Sequence, residues 1–121
     1  MRLLAFLGAV NAGLAVAAGA FGAHLLKKKL PVDLQVIFET GARYHFFHAL
    51  ALFAVAWLAS RGAPFATAAG VSFVTGMVIF SGSLYVLALT GERWLGMVTP
   101  VGGLAFVVGW VLTAVSALRT P

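Results

Sequence analysis

The residues of this chain that are best suited to chemistry lie close together, between positions 39 and 48. Glu39 and Arg43 are four residues apart with the acid first, which is the favoured order for an ion pair within one helix. His45 and His48 are three residues apart and therefore face nearly the same way, a spacing that suits two metal ligands. The positive charge of Arg43 beside them disfavours a bound cation, so we predict no metal site.

Other polar residues add little to this chemistry. His24 is expected on another helix at a similar depth, so a His24 and His48 pair could ligate a haem, although a hydrogen-bonded packing role is the simpler interpretation. Ser81 and Ser83 lie outside any nucleophile-elbow pattern and have no acid close in sequence, which argues against a serine hydrolase. The chain has no cysteine, so thiolate chemistry is excluded. We expect no catalytic residue, no cofactor and no enzyme activity.

The composition of the chain places these residues in a membrane. Of its 121 residues, 62% are apolar and only 9% are charged, whereas soluble domains carry about a quarter charged residues. The net charge of +5 does not indicate nucleic acid, because the basic residues lie in or beside the breaks between apolar segments, where lipid headgroups account for them. We predict an all-α integral membrane four-helix bundle, located in the cell inner (plasma) membrane.

Four apolar segments are long enough to span the bilayer, and the whole chain, 1–121, is expected to form one domain of these spans. The spans are predicted at about 3–26, 44–60, 65–90 and 99–118. The first is too long for the apolar region of a signal peptide, so we expect it to be retained. Pro31 and Asp33 suit the first turn of a helix. They predict that the second helix begins before its span and is extended by an interfacial amphipathic segment, from about Val32 to Tyr44.

Small residues indicate how these helices pack. Lipid tails are as apolar as leucine, so helix association in a membrane depends on close packing and interhelical hydrogen bonds. The first helix carries small residues nearly all round, so we expect it to be central, with no space for leucine at Gly19 or Gly22. Asn11, in the middle of this helix, is expected to hydrogen-bond for packing. The glycines predicted to make helix contacts are Gly13, Gly19, Gly22, Gly76 and Gly109.

The polar residues favour one side of the membrane, because the loops after the first and third spans emerge together. The candidates for a polar pocket there are His24, Glu39, Arg43, His45, His48, Ser83, Tyr85, Arg93 and Thr99. Ionisable groups at membrane depth indicate a functional site, since partners must offset their desolvation. We expect Glu39 and Arg43 to contact each other, and at least one of them to reach His24, His45, His48 or the start of the fourth helix.

We therefore predict a non-enzymatic membrane protein whose pocket binds a small molecule, a lipid headgroup or a partner helix. The alternatives are a small proton-coupled transporter and a His-ligated haem protein. The expected partners are the lipid bilayer and either a second copy or another membrane protein, and not nucleic acid.

Five Lys and Arg residues on the loop side, against three on the other, favour cytoplasmic loops. Arg2 before the first helix favours a cytoplasmic N-terminus, which we expect because the first helix usually dominates.

Four stretches of the chain resemble a known family. They are GAFGAH (19–24), FETGARYHFFHALAL (38–52), SGSLYVLALTG (81–91) and TPVGGLAFVVGW (99–110). In the same order and spacing they resemble the YgdD-like inner-membrane family of bacteria, whose animal relative is called transmembrane protein 256. The resemblance covers almost the whole chain. It implies a small multi-pass membrane protein of unknown function, and it supplies no catalytic residues.

Overall fold

The chain forms a bundle of helices without strands, and a computed structural model describes all of its residues, 1–121. Its elements, in chain order, are α1 (Arg2–His24), a 3₁₀ turn (Leu26–Lys28), α2 (Val32–Ser60), α3 (Ala66–Gly76), a π-helical segment (Met77–Ser81), α4 (Gly82–Thr90), a second 3₁₀ segment (Arg93–Met97) and α5 (Thr99–Leu118). Because α3, the π-helical segment and α4 are continuous, they form one rod, here called the third rod. Four rods are long and apolar enough to cross a membrane, which confirms the predicted all-α membrane fold.

The second helix begins well before its apolar segment, as Pro31 and Asp33 predict. Pro31 caps α2 in an extended conformation, with a ψ angle of 154°, and Asp33 lies in the first turn. The side-chain amide of Gln35 then donates to the carbonyl of Leu30 at 2.6 Å and to that of Lys27 at 3.2 Å. These bonds satisfy carbonyls that the end of the 3₁₀ turn would otherwise leave free. The helix then runs unbroken for 29 residues.

The centre of the bundle is α2, and the expectation that the first helix is central is wrong. Leu52 and Val55 of α2 are inaccessible to solvent, and they belong to a core that also contains Leu4 of α1, Phe73 of α3 and Phe106 of α5. In contrast, most residues of α1 are exposed, and this helix packs chiefly against α2. Small residues permit close approach on any face of a helix. A helix with small residues on all of its faces therefore does not reveal how many neighbours it has.

Three of the five predicted packing glycines contact a neighbouring helix. A Cβ built on each would meet an aromatic ring, and the pairs are Gly22 with Phe38, Gly76 with Phe106, and Gly109 with Phe73. Gly13 and Gly19 have open space where a Cβ would lie, so the expectation that leucine cannot fit at Gly19 is wrong. Gly102, where a Cβ would collide with the backbone nitrogen of Phe80, was not among the predicted glycines.

The π-helical segment of the third rod was also not predicted. It places Ser81 against α2, where its hydroxyl donates to the carbonyl oxygen of Gly41 at 2.7 Å. Phe80, in the same segment, lies against Gly102 of α5. A π-helical turn inserts an extra residue per turn, so it re-aims the side chains on either side of it. The segment therefore adjusts the third rod to two neighbours at once.

Replacing Gly102 by alanine is expected to lower the melting temperature in detergent, because the backbone of Phe80 cannot rotate out of the way as a side chain could. Overpacking of this kind costs about 1–3 kcal/mol. Gly13→Ala is the matched control, since it adds the same methyl group to a helix interior in open space and should raise stability by up to about 1 kcal/mol. Equal melting temperatures for the two variants would contradict the close contact between α5 and the third rod.

Candidate functional site

Hydrogen bonds through Asn11, His45 and Tyr85 connect three of the four rods. His45 lies at the middle of α2 and is 8% exposed. Its Nε2 atom is 2.9 Å from Oδ1 of Asn11 in α1, and its Nδ1 atom is 2.9 Å from the hydroxyl of Tyr85 in α4. The predicted packing hydrogen bond of Asn11 is confirmed, and its partner is His45.

The partners of His45 determine which of its nitrogens carries hydrogen. The side-chain amide nitrogen of Asn11 donates to the carbonyl oxygen of Leu7 at 2.8 Å, which directs Oδ1 towards His45. An amide oxygen only accepts hydrogen bonds, so Nε2 of His45 is the donor. In a neutral imidazole the other nitrogen then accepts, and it does so from the O–H of Tyr85. The geometry thus corresponds to a neutral His45 with its hydrogen on Nε2.

His48 is held as the opposite tautomer. Its Nδ1 atom lies 2.7 Å from the carbonyl oxygen of Tyr44, which can only accept, so Nδ1 carries the hydrogen. Its Nε2 atom accepts from the indole N–H of Trp110 in α5 at 3.0 Å. The ring also stacks on Phe106, with 3.6 Å between centroids and an interplanar angle of 8°. Both nitrogens are engaged, so His48 could ligate a haem only by losing one of these bonds.

The other histidine and the remaining polar candidates lie in separate places. His24 is exposed at the end of α1. Ser83 and Thr99 are both buried, with 2.6 Å between their hydroxyl oxygens, and they join α4 to the start of α5. Arg93 donates to Asp33 at 2.5 Å and joins the loop before α5 to the first turn of α2. No group of three or more His, Asp or Glu side chains is arranged to hold a metal ion.

The ion pair within α2 is confirmed, but the connected network expected around it is wrong. Arg43 donates to Glu39 at 2.9 Å, and neither side chain makes another hydrogen bond within the chain. The two side chains remain 54% and 69% exposed, respectively. At about 100° per residue, His45 lies about 200° and His48 about 140° around the helix from Arg43. The histidines therefore face the interior while the ion pair faces outward.

Beside the ion pair, a groove of about 490 Å³ separates α1 from the first half of α2. Its charged lining residues are Lys27, Glu39 and Arg43, and its small ones on α1 are Ala15, Gly19, Gly22 and Ala23. Gly19 has nothing within 4 Å of its Cβ position, so the wall is open at this residue, whereas Ala15 is buried and Gly22 packs against Phe38. Of the predicted pocket residues, the structure brings only Glu39 and Arg43 to this groove.

Three residues that take part in these sites were not predicted as site residues from the sequence. Trp110 is 62 residues from His48, and no periodicity reveals such a pair. Asp33 was interpreted only as a residue of the first turn of α2, and Lys27 only as one of the basic residues beside the breaks between apolar segments. The alternation of the spans gave one usable clue, since it places Asp33 and Arg93 on the same side of the membrane.

A double-mutant cycle measures the strength of the hydrogen bond between Asn11 and His45. Asn11→Leu leaves the Nε2–H of His45 without an acceptor and should cost about 1–2 kcal/mol of unfolding free energy. His45→Phe should also destabilise. Since the double variant removes both partners, its loss should be smaller than the sum of the two single losses. Additive losses in chemical denaturation would contradict the bond.

Comparison with known proteins identifies the family of the chain. Residues 18–103 match a family described as "Protein of unknown function (DUF423)". The chain is 46% identical over 121 residues to the UPF0382 membrane protein YwdK of Bacillus subtilis, covering 98% of each chain. It is 40% identical over 119 residues to a UPF0382 membrane protein of Staphylococcus epidermidis, again covering 98% of each. It is also 40% identical over 119 residues to the UPF0382 inner membrane protein YgdD of Escherichia coli, covering 98% of this chain and 91% of that one.

No solved structure gives a significant match. The relatives are named as membrane proteins, and their names state no activity. Together with the four rods that can cross a bilayer, they identify a multi-pass protein of the cell inner membrane, as the resemblance implied. The chain belongs to the DUF423 family, the UPF0382 membrane proteins.

Proposed function

We propose that this membrane protein binds an anionic amphiphile in the groove between α1 and α2, with the anionic group held by Lys27 and Arg43. The observation that carries the proposal is an outward-facing arginine in a groove whose other wall is open. The anionic group of the ligand is a phosphate or a similar anion, and it belongs to either a lipid headgroup or a free metabolite.

The charges in the groove leave a cation without a partner. Arg43 has five N–H donors and uses one nitrogen on Glu39, while Lys27 has no acid partner within the chain. With Glu39 as the only acid among the lining residues, the groove has one net positive charge. Arginine binds phosphate oxygens through two parallel N–H groups, and its remaining donors are suited to that geometry.

The position of Arg43 along α2 fits a headgroup. At 1.5 Å per residue it lies about 27 Å from Arg61 and about 15 Å from Asp33, so these end charges are about 42 Å apart. The hydrocarbon core is about 30 Å thick. With Arg61 at one boundary, Arg43 lies about 3 Å inside the other, where a long cationic side chain reaches the phosphates.

The walls of the groove suit the apolar part of such a ligand. Gly19 leaves space at its Cβ position, and the exposed Ala23, one turn further on, adds only a methyl group. An alkyl chain can therefore approach the backbone of α1 closely, as small residues permit between helices. The charged residues and the open apolar wall together favour an amphiphile over an ion alone.

Titration with phosphatidylglycerol, followed by native mass spectrometry, should give saturable binding that phosphatidylcholine does not reproduce. Arg43→Met should weaken the affinity by about tenfold or more, since charge-assisted hydrogen bonds contribute about 1.5–3 kcal/mol. Glu39→Gln should keep or strengthen binding, because it removes the carboxylate that competes for Arg43. In the double variant, binding should remain as weak as in Arg43→Met.

Arg61→Met is the matched control, because Arg61 lies at the other end of α2. It should bind phosphatidylglycerol like the unchanged protein. A parallel titration with inorganic phosphate distinguishes the sources: saturation by phosphate alone would indicate a free anion rather than a lipid. Full binding by the Arg43→Met and Glu39→Gln double variant would contradict the proposal.

A further inference from the structure

We infer that His45 is a proton-binding site inside the bundle, at which uptake of a proton on Nδ1 reverses the hydrogen bond between His45 and Tyr85. The site is distinct from the outer groove, and it rests on the donors and acceptors around the two buried histidines. Neither Tyr85 nor Asn11 lines that groove.

The surroundings of His45 accept either protonation state. A hydroxyl group can donate or accept, so Tyr85 can turn its O–H away and receive the new Nδ1–H on its oxygen. The proton comes from solvent, no covalent bond to carbon changes, and the imidazole becomes an imidazolium. Nε2–H donates to the Asn11 oxygen in both states. No heavy atom has to move, because the 2.9 Å distances suit both directions of the bond.

The surroundings of His48 accept only the neutral state. Its free nitrogen, Nε2, faces the indole N–H of Trp110 at 3.0 Å, and that group is a donor without any acceptor capacity. A hydrogen added to Nε2 would oppose the hydrogen of Trp110. The stacked ring of Phe106 prevents His48 from turning away without loss of that contact. The two histidines, one turn apart in α2, therefore differ in whether their surroundings accept a second ring proton.

No charged group faces His45 from the helices packed against it. From α1 the facing group is Asn11, and from α4 it is Tyr85. On α2 itself, Arg43 and Glu39 line the outer groove, and His48 lies one turn on against Phe106. The added charge of an imidazolium would be stabilised by the two oxygens of Asn11 and Tyr85, which point towards it.

The test is ¹⁵N NMR of histidine-labelled protein in lipid nanodiscs, with His24 replaced by asparagine so that two imidazoles remain. At about pH 8, His45 should show the Nε2–H tautomer and His48 the Nδ1–H tautomer. As the pH falls to about 5, the nitrogens of His45 should move to imidazolium values while those of His48 stay neutral. Titration of His48 before His45, the same tautomer for both, or no change in His45 over this range would overturn the inference.

Tyr85→Phe tests the role of the hydroxyl with one oxygen removed. It removes the bond at Nδ1 in both protonation states, and because the bond of the charged imidazolium is the stronger one, the proton affinity of His45 should fall by about tenfold. Tyr44→Phe is the matched control, because the Tyr44 hydroxyl has no hydrogen-bond partner in the chain, and it should leave the titration unchanged. An equal effect of the two variants would contradict the proposed role of Tyr85.

Asn11→Asp gives a second variant that does not depend on Tyr85. An aspartate at this position would place a carboxylate against Nε2–H and hold His45 as imidazolium at about pH 8. A neutral His45 in the folded Asn11→Asp protein would also overturn the inference.

Discussion

The core of a bilayer contains no water, so a polar group there must hydrogen-bond within the protein or it destabilises the fold. This constraint determines the interior of the bundle. His45 shows how it is met. Its two nitrogens need two partners, which come from α1 and from the third rod, so the histidine can be satisfied only when three helices are in register. His48 imposes the same demand on α2 and α5 through Trp110. The central position of α2 follows, because this helix carries both of the buried histidines.

The ion pair of Glu39 and Arg43 is the exception, since it faces outward and is not part of this interior set. Its cost depends on what surrounds it, because exposed pairs in water contribute little and charges in hydrocarbon are expensive. The extra length of α2, 29 residues, carries the pair towards the loop-side boundary. There the groove beside α1 is open at Gly19. The same glycine-rich helix that was expected to fill the centre thus leaves one side of the bundle accessible.

The sequence predicted the features that depend on local spacing. The bond between Glu39 and Arg43 follows from one helical turn, and the early start of α2 follows from Pro31. The features that depend on how helices face one another were missed. Small residues on α1 did not reveal that Gly19 faces open space, and nothing local identifies Tyr85 as the partner of a histidine 40 residues away. Helical rotation alone predicts only that Arg43 and His45 lie on nearly opposite sides of α2, because residues two apart face nearly opposite ways.

The proposed contact between Arg43 and a lipid phosphate can be tested by solid-state NMR recoupling of ³¹P with guanidinium ¹⁵N, in bilayers that contain phosphatidylglycerol. The chain has other arginines near the membrane boundaries, so the informative quantity is the difference between the unchanged protein and Arg43→Met. If Arg43 binds a lipid phosphate, part of the dephasing comes from a nitrogen in hydrogen-bond range of phosphorus and disappears in the variant. Dephasing that is the same in both proteins would contradict this contact.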